Sequence, residues 1–239
     1  MTTAAANRAA DAFLAYFREL VTRRRSTPED DLITSLLHAQ GAGDGFFTDE
    51  DLLGLIVAVF AAGHGPGIAM IANTWLALLR HPSELMLLKE HPEWIVGAVE
   101  EGLRYDPPTQ APNPLAATSD VDVGGKIIRK GQPVTVLIGA VNRDPAAFPE
   151  PERFDITRHP NRHLAFSGGA HYCLGATLAR MEAQIALGAL LRKLDHPALD
   201  CDPDELRWLP HDRFRTMDQL PISFQPGSWR SLRSGLRSE

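Results

Sequence analysis

The sequence predicts a mainly α-helical fold with small β hairpins. Apolar residues recur at helical spacing over most of the chain, and Leu52 to Leu79 is an apolar stretch too long for a strand. Short extended runs around Val121, Ile127 and Val134 to Ile138 are separated by GG and KG turns, as in small hairpins. With 239 residues and 44% hydrophobic composition, the chain can bury one large core or two small ones.

Taken in order, Ala9, Phe13, Leu14, Phe17 and Leu20 lie on one helical face, and the charge and proline of TRRRSTPEDD then predict a linker. Asp31 is placed to cap a short helix carrying Leu32, Ile33, Leu36 and Leu37, which the glycines of AQGAGDGFF end. Thr48 and Asp51 form a capping-box pattern that opens the long apolar stretch. Gly63, His64, Gly65, Pro66 and Gly67 interrupt it, predicting a buried core helix with a break; in lipid such a break would leave backbone groups unpaired. HPSELMLLKEHPEWIVGAVEEGLRY predicts two helices, the second begun by Pro92 and stopped by Asp106, Pro107 and Pro108. After the extended runs and a turn-rich segment from Asn142 to Arg162, a final helix keeps Leu178, Met181, Ile185 and Leu191 on one stripe. Residues 227–239, ending in SWRSLRSGLRSE, read as a flexible tail.

A net charge of −6, with arginines spread among acids, argues against nucleic-acid binding and favours a small substrate or a protein partner. Met1 leads into TTAAANRAADAF, which lacks the basic-then-apolar pattern of a secretory signal. A cytoplasmic chain that does not enter the membrane is therefore expected, in which Cys173 and Cys201, the two cysteines of the sequence, stay reduced.

A lone cysteine is by default a small buried hydrophobe. Around Cys173 the setting differs: Gly168 and Gly169 permit a tight turn, and the thiol stands just before a strong helix whose free N–H groups and dipole favour a thiolate. His159, His163 and His171 lie nearby and raise a zinc reading, but structural zinc takes four ligands with paired spacing, and no second cysteine is close.

The segment FSGGAHYCLG, from Phe166 to Gly175, resembles the cytochrome P-450 haem loop, which has Phe, then Gly, Cys and Gly at these intervals. The resemblance implies haem b (iron protoporphyrin IX) with Cys173 as axial iron ligand. Phe166 would pack beside the sulfur, Gly168 and Gly169 would form the turn, Gly175 would let the helix approach the macrocycle, and His163 and His171 would bond its propionates. A thiolate donates electron density to iron and favours O–O cleavage. EGLR matches the family's Glu-x-x-Arg signature through Glu101 and Arg104, and FPEPERFD offers Arg153 as third member of the structural ion triad. The likeness continues through DDLITSLL, TDEDLLGLI, FAAGHG, ATSDVDVGG, NRDPAAF, HLAF and PDELRW to LPISF. Residues 1–226 thus read as the C-terminal portion of a single haem domain of the soluble bacterial type, without the N-terminal half.

Two departures stand out. The family's oxygen-side helix usually reads Ala-Gly-x-(Asp/Glu)-Thr; here Ala62 and Gly63 match, while Gly65 and Pro66 replace the acid and alcohol that relay protons. Leu115 stands where many relatives place a propionate-binding arginine. The resemblance implies a monooxygenase-like oxidoreductase acting on a small organic substrate, with electrons from a ferredoxin or flavodoxin-type donor docked near Arg158, Arg162 and Arg180. The alternatives are a peroxide-using or oxidative-coupling relative, and a non-catalytic truncated or split haem-binding fragment.

Overall fold

Helix α1 spans Thr3–Ser26 and does not stop where the charged run predicted a linker. Arg23, Arg24 and Arg25 occupy its last turn, where cations meet the partial negative charge of a helix C-terminus, so the run extends the helix. Arg24 pairs with Glu29 at 2.8 Å and with Asp31. Asp31 also caps α2 (Leu32–Ala42), its Oδ1 accepting the Thr34 N–H at 2.8 Å. The structure, a computed structural model, describes residues 3–42, 47–211 and 213–226, so the tail predicted over 227–239 lies outside the described residues.

The long apolar stretch forms α3 (Asp49–Arg80), opened by the predicted capping box. The Asp51 N–H donates to Thr48 Oγ1 at 3.1 Å, and Asp51 Oδ2 accepts the Thr48 N–H at 2.9 Å. The break expected at GHGPG does not occur: the helix continues through Pro66. At Gly63 and Gly65 an added Cβ would meet nothing within 4 Å, so the turn holding the proline is bare of side-chain crowding and can adjust around it. The chain nevertheless divides there into two compact units, Met1–Gly65 and Pro66–Glu239. By length and composition α3 could cross a membrane. Leu52, Leu53 and Ile56 at one end and Met70 to Leu79 at the other lie in protein cores, but residues 58–65 between them are exposed, so the expected burial fails in the middle of the helix.

In the first unit Phe17 packs with Leu52, Leu53 and Ile56, supported by Phe13, Leu14, Leu36 and Leu37. In the second, Met70, Trp75, Leu78 and Leu79 of α3 pack with Leu88 of α4 (Pro82–Glu90), Val99 and Leu103 of α5 (Ile95–Tyr105), and Ala183 and Leu187 of α7 (Ala176–Lys193). A fully buried leucine such as Leu187 contributes about 1.5–3 kcal/mol. Gly102 sets the approach of α5 to α3, since an added Cβ would lie 2.6 Å from Thr74 Cγ2. As predicted, α5 stops before Asp106.

Among the described residues there are three two-stranded sheets. Strands β2 (Val121–Val123) and β3 (Lys126–Ile128) form the predicted hairpin, with Gly124 and Gly125 at φ 59 and 82, the left-handed pair that a tight hairpin turn requires. Strand β1 (Leu115–Ala116) pairs with β4 (Pro133–Val134), which stops short of the extended run predicted to Ile138. Ile138 instead begins the short α6 (Ile138–Val141), where its side chain is buried and its N–H bonds the Gln110 carbonyl at 2.8 Å. A third pair, β5 (Leu194–Leu199) with β6 (Ile222–Pro226), gave no period-two signal in the sequence.

Candidate functional site

The predicted loop leads from His163 to α7. The Cys173 N–H donates to the Phe166 carbonyl at 2.9 Å, which closes the loop on itself; the Tyr172 N–H reaches the Gly169 carbonyl at 3.2 Å. Gly169 takes a left-handed φ of 65, and so, without glycine's freedom, does Ser167 at φ 63. Gly168 is extended at φ −161, so of the two predicted turn glycines only Gly169 is needed for its backbone. Gly175 precedes α7 as its N-cap residue. Cys173 is exposed, a short step before the helix N-terminus. Cys201 is half-buried and packs beside Leu76, Leu206 and Met217.

Phe166 is buried, with Tyr172 packed edge-on at 6.5 Å and the Arg180 guanidinium 4.5 Å over its ring. His163 is not free for a propionate. Its side chain is 2% exposed, Nδ1 accepts the Ala165 N–H at 3.2 Å, and Nε2 lies 3.1 Å from Glu100 Oε2. The Ala165 bond fixes the tautomer with the proton on Nε2, aimed at the carboxylate. Arg180 reaches the same carboxylate through Nε at 2.7 Å and Nη2 at 3.0 Å. Burial alone would raise the Glu100 carboxyl, but the hydrogen bonds from His163 and Arg180 outweigh it and hold it at about 2. His171, in contrast, is exposed in the turn Gly169–His171.

The signature pair lies fully buried: Arg104 meets Glu101 through two 2.8 Å bonds, Nε to Oε2 and Nη2 to Oε1. The third guanidinium is Arg158, whose Nε is 3.2 Å from Glu101 Oε2. Arg153 does not take the predicted place. Its charge faces Glu150 and Asp155 at 3.5 and 3.6 Å and is largely exposed, while its carbonyl accepts bonds from Arg104 and Arg158, both 3.0 Å. Arg158 and Arg180 are thus both committed to carboxylates, and of the three arginines expected on a docking surface only Arg162 is exposed.

In the first unit Ala62, Gly63, His64 and Gly65 are consecutive exposed residues of α3, and the His64 ring stacks on Phe60 at 5.5 Å and 11°. Leu115 is exposed in β1. Along α7 the apolar stripe of Leu178, Met181 and Ile185 faces outward, 60%, 52% and 66% exposed, continued by Leu174 at 91%. The buried face carries the smaller Ala176 and Ala183 with Leu187, and Leu191, the last residue of the predicted stripe, packs half-buried against the core.

Among the described residues no three His, Cys, Asp or Glu side chains come together as a metal site. The surroundings of Cys173 suit a metal that brings its other donors with it, as iron in a macrocycle does. At Gly168, Gly169 and Gly175 an added Cβ would meet no protein atom within 4 Å, so packing within the chain does not demand glycine there and leaves room for a flat group.

The cytochrome P450 family model matches residues 94–211. The biotin biosynthesis cytochrome P450 of Bacillus subtilis is 43% identical over 212 residues, 89% of this chain and 52% of that protein. The cytochrome P450 monooxygenase PikC of Streptomyces venezuelae is 38% identical over 92% of this chain and 53% of its own length. The structure of P450BioI in complex with an acyl carrier protein ligated to hexadec-9Z-enoic acid superposes with a TM-score of 0.82 at 42% identity, covering 89% of this chain and 53% of that one. The chain belongs to the cytochrome P450 family as a partial member carrying the C-terminal half of the fold, and it spans about half the length of the curated relatives it matches.

Proposed function

We propose that this chain supplies the thiolate-bearing half of a haem monooxygenase, with Cys173 as axial ligand to the iron of haem b. The carrying observation is a single exposed thiol, presented by a self-closed loop at a helix start. When bound, the haem supplies the redox chemistry, made more electron-rich by its thiolate. The chain's own residues do the rest. The Phe166 carbonyl holds the Cys173 backbone, Phe166 shields the loop's inner side, and Gly168 and Gly175 leave room for the macrocycle. His171 is the propionate donor in place of His163. The buried Glu101, Arg104 and Arg158 network is scaffold.

Residues 1–226 are read as part of one haem domain, cytoplasmic and bacterial. The substrate is a small organic molecule, and electrons come from a ferredoxin or flavodoxin-type donor. The P450BioI neighbour, solved with an acyl carrier protein ligated to hexadec-9Z-enoic acid, makes a long-chain acyl group the first substrate class to test. The test of the ligand is the reduced carbon monoxide difference spectrum of haem-supplemented protein. The parent and Cys201→Ala are expected to give the red-shifted thiolate band and Cys173→Ala to lose it; a thiolate band in Cys173→Ala would overturn the assignment.

A further inference from the structure

Glu100 and Glu101 are neighbours on α5, yet their carboxylates serve different parts of the molecule. Glu101 is tied to Arg104, Arg158 and the Asp155 N–H. Glu100 holds both flanks of the cysteine loop: His163 on the entering side at 3.1 Å, and Arg180, in α7 on the leaving side, at 2.7 and 3.0 Å. We propose that Glu100 is a positioning residue for Cys173, fixing the loop from below through His163 and Arg180.

The contacts run from the carboxylate to the residues on either side of the thiol. Arg180 uses two nitrogens on Glu100, the planar fork that best fixes a guanidinium. Its remaining Nη1 donates to the Tyr172 hydroxyl at 3.0 Å, and its face covers the Phe166 ring. Tyr172 adjoins Cys173 in sequence, and Phe166 accepts the Cys173 N–H. With His163 almost fully buried against the same carboxylate, neither flank can shift while Glu100 is in place. The pattern explains why an apolar loop start carries a histidine that cannot reach solvent.

The consequence for iron rests on the haem-thiolate reading; the positioning itself does not, so it is tested first without haem. In haem-free protein, Glu100→Gln is expected to speed amide exchange across Phe166 to Gly175, the Cys173 amide included, by about tenfold, as expected when one charge-assisted bond weakens. Exchange in the β2–β3 hairpin and at Leu78 and Leu88 stays at parental rates. Arg180→Lys keeps the charge but loses the fork and the Tyr172 bond, and it is expected to loosen the same amides; it decides the matter if Glu100→Gln yields no folded protein. Parental loop exchange in these variants, or uniform acceleration throughout the second unit, overturns the proposal. After haem loading, Glu100→Gln is expected to keep its haem content but show a smaller share of thiolate-type Soret band than the parent. A parent with no thiolate band would overturn the haem reading, while the exchange data would still judge Glu100.

Discussion

Arg158 Nε lies 3.2 Å from Glu101 Oε2, with its side chain 9% exposed, so the buried carboxylate is shared by two guanidinium groups that converge from opposite directions of the chain. Arg104 satisfies both Glu101 oxygens and is itself fully buried, so Arg104→Ala leaves the buried carboxylate with Arg158 as its remaining guanidinium, strips the Asn142 and Pro151 carbonyls of their donor, and is expected to cost about 3–5 kcal/mol. Arg158→Ala leaves that pair intact and is expected to cost about 1.5–3 kcal/mol, the worth of a charge-assisted bond. Arg153→Ala removes an exposed side chain while keeping the carbonyl that Arg104 uses, and should stay within about 1 kcal/mol. Urea midpoints of the three variants check the order; equal losses for Arg153 and Arg158 would restore Arg153 to the network.

The cysteine loop was legible because its signals are local: glycine, cysteine and helix start follow one another, and an i, i+3 pair of opposite charges shares a helix face wherever the helix lies. Which arginine completes the network was not. Arg153 and Arg158 stand in one irregular segment, and the turns between Glu150 and Arg158 decide which of them points inward. Glu100 and Arg180 are 80 residues apart, beyond any spacing rule, although two adjacent acids on a helix with a buried face were a usable hint. On α7, periodicity identified an apolar stripe but not what it packs against. Small Ala176 and Ala183 are buried because helices approach closely there, and the larger Leu178, Met181 and Ile185 face out. The proline in α3 misled in the other direction, because neighbouring glycines absorb its geometry without ending the helix.

The Glu100 pairing gives acid sensitivity a definite sign. Its carboxyl is held at about 2, below the ordinary glutamate value of ~4.3, so it contributes stability that is fully present above that value and is lost as pH falls toward 2. The stability difference between parent and Glu100→Gln should be constant from neutral pH to about 5 and shrink below about 4.5. Urea unfolding at stepped pH measures it, and a difference that persists unchanged at pH 3 would mean that the variant acts by shape rather than charge.

The thiols should react in a fixed order. Burial pushes the Cys201 thiol up, with Glu205, Asp200 and Asp202 adding to it, so it is mostly protonated and slow near neutral pH. Cys173 is exposed at a helix start. Limited alkylation of haem-free protein at neutral pH should label Cys173 first, and haem loading should protect Cys173 alone. Faster labelling of Cys201 would contradict the contrast in environment.

Pro66 lies inside α3, where it has no N–H to offer the Ala62 carbonyl, a defect that costs a helix interior about 3 kcal/mol. An added Cβ at Gly65 meets nothing within 4 Å, so an aspartate fits there without displacing a neighbour. Gly65→Asp with Pro66→Thr is therefore expected to stabilise the helix by about 2–3 kcal/mol, read as a higher unfolding midpoint, while placing an acid and an alcohol where relatives carry them. Positioned general acids typically contribute 10²–10⁴-fold, so on the proposed haem-monooxygenase reading oxygen activation without them should waste reducing equivalents as peroxide or water when the substrate has no hydroxyl or carboxylate of its own. In the complete enzyme, supplied with a reductase and such a substrate, the double variant should raise product formed per electron above the natural sequence. Tight coupling in the natural sequence under those conditions would place the proton source elsewhere. His64→Phe then discriminates: it keeps the stacking on Phe60 and removes the titrating ring, so a loss of coupling assigns the proton to His64, and unchanged coupling assigns it to ordered water.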